Sequence, residues 1–232
     1  KKQLESGRIS AIIANSGCAN SFTGERGMIN AAKMAELVSS CLGVDKDAVA
    51  VASTGPIGIQ LDMDVIERQL GEVAEELTSA EKGSTTAAKA IMTTDTFHKE
   101  SAVRIDTENT EPVVIGGIAK GSGMISPNMT TATMLSFIYT DADLEGDVLS
   151  RSLGEAVDNS FNMTVVDGDM STNDMVLLVA TGKGGKIGEE DFKAGLTFVC
   201  QELAKQIARD GEGATKFIEV KVRGAPSVAD AR

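Results

Sequence analysis

The chain has no tryptophan, one tyrosine and a single histidine, His98. With seven phenylalanines beside them, these leave little surface on which bases could stack, and a formal charge of −12 repels a phosphate backbone. Together these remove nucleic acid from the candidate partners. One histidine argues against a histidine-rich metal site, and it leaves a serine–histidine–acid triad a single candidate. The three cysteines, Cys18, Cys41 and Cys200, are odd in number and show no CxxC spacing, which fits a reduced cytoplasmic setting. No run of about 18 apolar residues occurs, so no membrane span is expected. The opening KKQLESGRIS lacks the apolar stretch of a signal peptide. It has no methionine and passes almost at once into a strand-like segment, as in the interior of a longer protein.

What is present is a chain of 232 residues, 42% hydrophobic, with a mean hydropathy of −0.02. That is enough for a substantial core. Residues 9–15 and 48–54 read as short buried strands, and 27–42 as an amphipathic helix. The Met28 and Met34 pair on that helix reads as core rather than a cofactor box. Asp62 is placed to cap a helix running to about Leu77, and a further helix is expected over 81–92. Strands are expected at 101–106, 113–119, 133–141, 174–181 and 216–222, with helices over 143–159 and 191–210. Strands and helices mix without strict alternation, which predicts a layered α/β (α+β) fold rather than a doubly wound parallel sheet. No repeat or linker divides the chain, so residues 1–232 are expected to form one unit.

The most informative stretch is AKGSGMISPNMTTATMLSF, residues 119–137. A glycine-rich loop runs into Ala132-Thr133, where a strand begins. Cutting the bond before Thr133 would give it a free α-amine beside its hydroxyl, so the nucleophile would carry its own base. With an intrinsic pKa near ~8, a useful share of that amine is neutral at physiological pH. The plainer alternative is a strand threonine with no chemistry. Ser53-Thr54-Gly55 ends a strand in a tight turn, where a hydroxyl and a glycine N–H can face one oxyanion, or simply turn the chain. Lys120, ahead of Gly121-Ser122-Gly123, is placed to pair with a substrate carboxylate unless it is an ordinary solvated loop lysine.

Other motifs carry less. TGKGGKIG and GGIAKGSG evoke phosphate loops, yet neither fits GxxxxGK[ST]. DGDMSTND lacks the twelve-residue pattern of a calcium loop, and Asp167, Asp169 and Asp174 read mostly as satisfying backbone groups. Cys18 could act as a nucleophile only if the fold brought His98 to it.

Taken in order, NSGCANSFTGERG (15–27), ASTGPIG (52–58), MTTDTFHKE (92–100), KGSGMISPN with ATMLSF, DGDMSTND (167–174) and DGEGATK (210–216) resemble the ornithine/glutamate N-acetyltransferase family of arginine biosynthesis, along nearly the whole chain. The resemblance implies the fold of self-processing N-terminal-nucleophile enzymes. It also implies cleavage between Ala132 and Thr133 into parts 1–132 and 133–232 that stay associated, as a dimer of such pairs. On the family's pattern Thr133 is the nucleophile, and Thr54 and Gly55 form the oxyanion hole. Thr94 (with Thr93 and Thr96 close by), Lys120, Thr133 and Glu212 contact substrate, with Glu212 suited to the cationic amine of ornithine. The implied reaction passes the acetyl group of N2-acetylornithine to glutamate through an acetyl-threonine, without metal or organic cofactor. Acetyl-CoA stays open as a second donor.

The chain departs from the family where Pro127-Asn128-Met129 is followed by Thr130-Thr131 before Ala132-Thr133. These are two residues more than in the family's Pro-Asn-Met-Ala-Thr-Met-Leu. The family's C-terminal Asn and Ser/Thr pocket residues have no counterpart. The alternatives are a related aminopeptidase or amidohydrolase that gives its acyl group to water, and an inactive fragment.

Overall fold

The computed structural model describes residues 7–107, 111–126 and 134–231. Among these described residues, six strands form two sheets. Strands β1 (Ala11–Ser16) and β2 (Val49–Thr54) pair in parallel, as their crossover through helix α1 (Gly24–Leu42) requires. Strands β3 (Lys99–Ile105), β4 (Val113–Lys120), β5 (Leu135–Thr140) and β6 (Met175–Ala180) form the second sheet in that order, antiparallel except for the β5–β6 pair.

Alternation along the strands decides how the layers stack, because successive side chains leave opposite faces. On β2, Val49 and Val51 face α1 with Ala35 and Val38, whereas Ala50 and Ala52 face the other sheet. On the four-stranded sheet, Ile118, Leu135, Phe137 and Leu177 meet those alanines, while Val113, Ile115 and Ile138 turn to the opposite side. There they meet α4 (Gly146–Asp158) and α5 (Glu189–Arg209). The result is four layers, α–β–β–α. The layered α/β expectation holds.

Helix α5 is the main weight on the outer face. Phe192, Leu196, Val199, Leu203 and Ile207 recur at helical spacing and are fully buried. Each contributes about 1.5–3 kcal/mol through burial. Helix α2 (Met63–Glu75) begins as its sequence predicts, with the Asp62 side chain accepting from Val65 N at 3.1 Å. Helix α3 (Glu81–Ala90) follows, contributing Ala88 to the inter-sheet core. No helix among the described residues is long and apolar enough to cross a membrane.

Two expectations fail. Residues 216–222 form no strand. Ile218, Val220 and Val222 are exposed, and an alternating pattern without a partner strand has nothing to hold it extended. Met34 is buried as expected, but Met28 is 75% exposed. Six residues at about 100° each place the two methionines well apart around the helix, so both cannot face the core.

Candidate active site

The second sheet gathers the motifs at one edge. Lys99 begins β3 and pairs with Ala119, Lys120 ends β4 and pairs with Leu135, and Leu135 pairs with Met175. The start of β3, the end of β4 and the starts of β5 and β6 therefore share one side of the sheet. Thr133 is two residues before β5, so its neighbour Met134 emerges at this edge. Ala132 and Thr133 themselves lie outside the described residues, as do Thr130 and Thr131.

Thr54 and Gly55 arrive from the other sheet, at the end of β2. Thr54 is fully buried. Gly55 has φ +132°, and a Cβ there would sit 2.6 Å from Cys18 N and 2.7 Å from the Gly17 carbonyl carbon. Only glycine lets the 17–18 turn close on it. Asn173 Nδ2 donates to Ser53 O at 3.2 Å, and the Ser21 and Thr172 hydroxyls share a hydrogen bond of 2.5 Å. The NSGCANS, STG and STND motifs are thus one assembly.

Lys120 joins the two sheets. It is buried, and its Nζ donates to Thr54 Oγ1 at 3.3 Å and to Thr93 Oγ1 at 2.8 Å, with Asp95 Oδ2 at 3.8 Å. An ammonium can only donate, so Thr54 Oγ1 accepts here and directs its own hydrogen elsewhere. Burial pushes the Lys120 ammonium below the usual lysine value. Attraction from Asp95 opposes the shift, repulsion from Lys99 adds to it, and attraction from Asp174 opposes it.

Behind Lys120 lies a buried ion network. Asp95 Oδ1 accepts from Lys99 Nζ and from Gly121 N, both at 2.7 Å, and Asp95 Oδ2 accepts from Thr93 N at 3.1 Å. Burial works to raise the Asp95 carboxyl, but the hydrogen bonds from Lys99, Gly121 and Thr93, with the attraction of Lys120, hold it below its ordinary value. Lys99 Nζ also reaches Asp210 Oδ2 at 2.5 Å, just past the end of α5. A carboxylate at a helix C-terminus opposes the helix dipole, and here Lys99 and the Thr96 N–H at 3.0 and 3.1 Å offset it. Thr96 Oγ1 donates to the same carboxylate.

From Asp210 the network reaches Glu212. Ser122 Oγ donates to Asp210 O at 2.6 Å, and Glu212 N donates to Ser122 O at 2.8 Å. The exposed Glu212 side chain lies along Gly123, where a Cβ would come within 2.3 Å of Glu212 Oε2. The Gly121–Gly123 loop is therefore fastened to Asp95 at one end and carries Glu212 at the other.

The DGDMSTND loop closes the remaining side. Asp167 accepts from Met124 N at 2.6 Å and Ile125 N at 2.9 Å, satisfying backbone groups as its sequence suggests. Asp174 accepts from Met134 N. Burial pushes the Asp174 carboxyl up to about 8, against the Met134 hydrogen bond and the attraction of Lys120.

The structure thus brings together Thr54, Gly55, Lys120 and Glu212 around one strand edge, with Thr94 exposed beside them. Of the neighbouring threonines, Thr93 holds Lys120 and Thr96 holds Asp210. The sequence reading missed Asp95, Lys99 and Asp210. An Asp and a Lys four apart in MTTDTFHKE was the signal for two of them. Cys18 donates to Ile59 O at 3.3 Å, whereas His98 stands 3.4 Å from Glu100, so the structure gives the cysteine no histidine base.

Fold and site define a four-layer α–β–β–α protein whose buried lysine–threonine–carboxylate centre lies where strands of its two sheets end. The chain belongs to the ArgJ family, whose model it matches over residues 1–232. A glutamate N-acetyltransferase of Methanosarcina mazei is 56% identical over 229 residues, which are 97% of this chain and 56% of that protein. The arginine biosynthesis bifunctional protein ArgJ of Symbiobacterium thermophilum is 50% identical over 237 residues, 99% of this chain and 58% of that protein. Ornithine acetyltransferase of Mycobacterium tuberculosis, solved in complex with ornithine, is 35% identical and matches with a TM-score of 0.48, covering 54% of this chain and 66% of that one. The chain spans a little over half the length of the curated relatives it matches.

Proposed function

We propose that this chain carries the acyl-transfer centre of a self-cleaving glutamate N-acetyltransferase of arginine biosynthesis. The observation that carries the reading is Lys120, buried and bridging Thr54 and Thr93 at the strand edge from which Met134 emerges. Cleavage between Ala132 and Thr133 frees the Thr133 α-amine. That amine takes the hydroxyl proton as Oγ attacks the acetyl carbon of N2-acetylornithine. The Thr54 hydroxyl and Gly55 N–H hold the oxyanion, ornithine departs with a proton on its amine, and glutamate takes the acetyl group from Thr133.

In this reading Lys120 has two tasks. Its charge meets the α-carboxylate of the amino-acid substrate, and its hydrogen bond turns the Thr54 hydrogen away from itself toward the reacting carbonyl. Thr94 contacts the substrate nearby, and Glu212, hung from Ser122, meets the far amine of ornithine. The two cleaved parts stay together and pair into a heterotetramer in the cytoplasm. The chemistry calls for no metal or organic cofactor, and acetyl-CoA is the second donor to try.

The names of the relatives support the substrates, and the test is direct. The protein at full length, incubated with N2-acetylornithine and quenched, is expected to carry one acetyl group on the part that begins at Thr133. Glutamate should remove that group far faster than water does. Acetyl lost to water at the same rate with or without glutamate would favour a hydrolase. No acetyl on that part would overturn the reading.

A further inference from the structure

Asp95 meets Lys120 by three routes. Its Oδ2 stands 3.8 Å from the Lys120 ammonium and accepts from the N–H of Thr93, whose hydroxyl in turn accepts from Lys120. Its Oδ1 accepts from the N–H of Gly121, the next residue along the chain from Lys120. Both side chains are almost wholly inaccessible, at 0% for Asp95 and 4% for Lys120. Water therefore does little to keep the lysine charged, and its state depends on the charges packed around it. Among the described residues these are Asp95 in the loop before β3, Lys99 on β3 and Asp174 just before β6. Lys99 repels Lys120 and is itself shared with Asp210. Burial pushes the Asp174 carboxyl up to about 8, so at neutral pH most of it carries no charge. That leaves Asp95 as the counter-ion.

Resting on the acyl-transfer reading above, we infer that Asp95 is a positioning residue: it holds Lys120 as an ammonium and thereby decides which partner donates in the bond between Lys120 and Thr54. An ammonium has no lone pair, so Thr54 Oγ1 must accept from it, and the Thr54 hydrogen points away from Lys120. In the proposed mechanism that hydrogen meets the oxyanion. A neutral amine has a lone pair and accepts. Once Lys120 has given its proton to solvent, the Thr54 hydrogen turns back to Nζ, and the oxyanion hole loses one of its donors. Asp95 acts only through Lys120.

Two readouts on the protein at full length test this. One is the pH profile of kcat for acetyl transfer from N2-acetylornithine to glutamate. The other is the titration of Lys120, followed by carbon NMR of lysines labelled at Cε and assigned with Lys120→Arg. The wild-type kcat should step down about 100- to 1,000-fold across the pH at which Lys120 loses its proton, the usual loss for one oxyanion donor. Asp95→Asn keeps an oxygen acceptor and drops the charge. It should move the step and the Lys120 titration to lower pH together, with the same two levels on either side. Asp174 titrates in both proteins, so the difference between them reports Asp95.

Thr54→Val retains both charges and serves even if Asp95→Asn does not fold. It should hold kcat at the lower level on both sides of that pH while Lys120 still titrates. A step or a Lys120 titration that stays in place in Asp95→Asn would overturn the inference and leave the proposed function standing. So would a step of full size in Thr54→Val. A wild-type protein that transfers no acetyl group at any pH would remove the proposed function and this inference with it.

Discussion

Replacing Lys99 by methionine should destabilise the protein by about 3–5 kcal/mol, the usual consequence of removing one partner from a buried ion network. Lys99 is wholly inaccessible, and its ammonium is the shared partner of Asp95 and Asp210. Methionine fills much of the volume but removes the ammonium that the two buried carboxylates share, leaving Asp95 only the longer pairing with Lys120 at 3.8 Å. At this chain length the loss corresponds to a fall in melting temperature of roughly 10 °C. The penalty should shrink in acid. The folded-state value of Asp95 lies below the unfolded 3.8, so in the wild type it contributes stability above about pH 4. That contribution is lost as pH falls through the lower folded value. Wild type and variant should therefore converge only as pH falls through that folded value, below 3.8. Thermal melts at pH 7 and in a descending series from about pH 4 check this. A loss under about 1 kcal/mol at pH 7 would mean that the carboxylates find other partners.

Thr54→Val should leave the fold intact and lower kcat at full length by about 100- to 1,000-fold, the range for losing one oxyanion donor. Valine keeps the shape of threonine, so the β2 end and its packing survive. What goes is the hydroxyl that accepts from Lys120 and, in the proposed mechanism, donates to the oxyanion. Lys120 retains Thr93 as an acceptor with Asp95 nearby, so its ammonium stays held. The effect should fall on kcat rather than KM, because the oxyanion exists only in the transition state and intermediate. Steady-state kinetics with N2-acetylornithine and glutamate separate the two. A raised KM with unchanged kcat would place Thr54 in substrate binding instead.

Much of this architecture is legible along the chain because periodicity is a local property. The α5 stripe from Phe192 to Ile207 and the alternation in β2 both announce their buried faces. The segment 216–222 shows the limit. Phe217-Ile218 and Val220 with Val222 have strand-like composition, yet a strand also needs a neighbour, which composition does not supply. Met28 fails for a different reason: residue type was read without the helical angle. At the site, Thr54, Gly55, Lys120 and Glu212 stood out through their motifs. The network that fixes them did not, since Lys99 and Asp210 are 111 positions apart and only folding makes them partners. The split role of the threonines was equally hidden. Thr93 and Thr96 differ from Thr94 only in which way the loop before β3 turns them.

The central claim is that Thr133 becomes an N-terminal nucleophile, and intact mass under denaturing conditions tests it most directly. The account predicts two pieces, residues 1–132 and 133–232, in place of the 24.2 kDa chain. A single uncut 24.2 kDa species would contradict it, leaving the fold and the family membership but no amine at Thr133 to act as base.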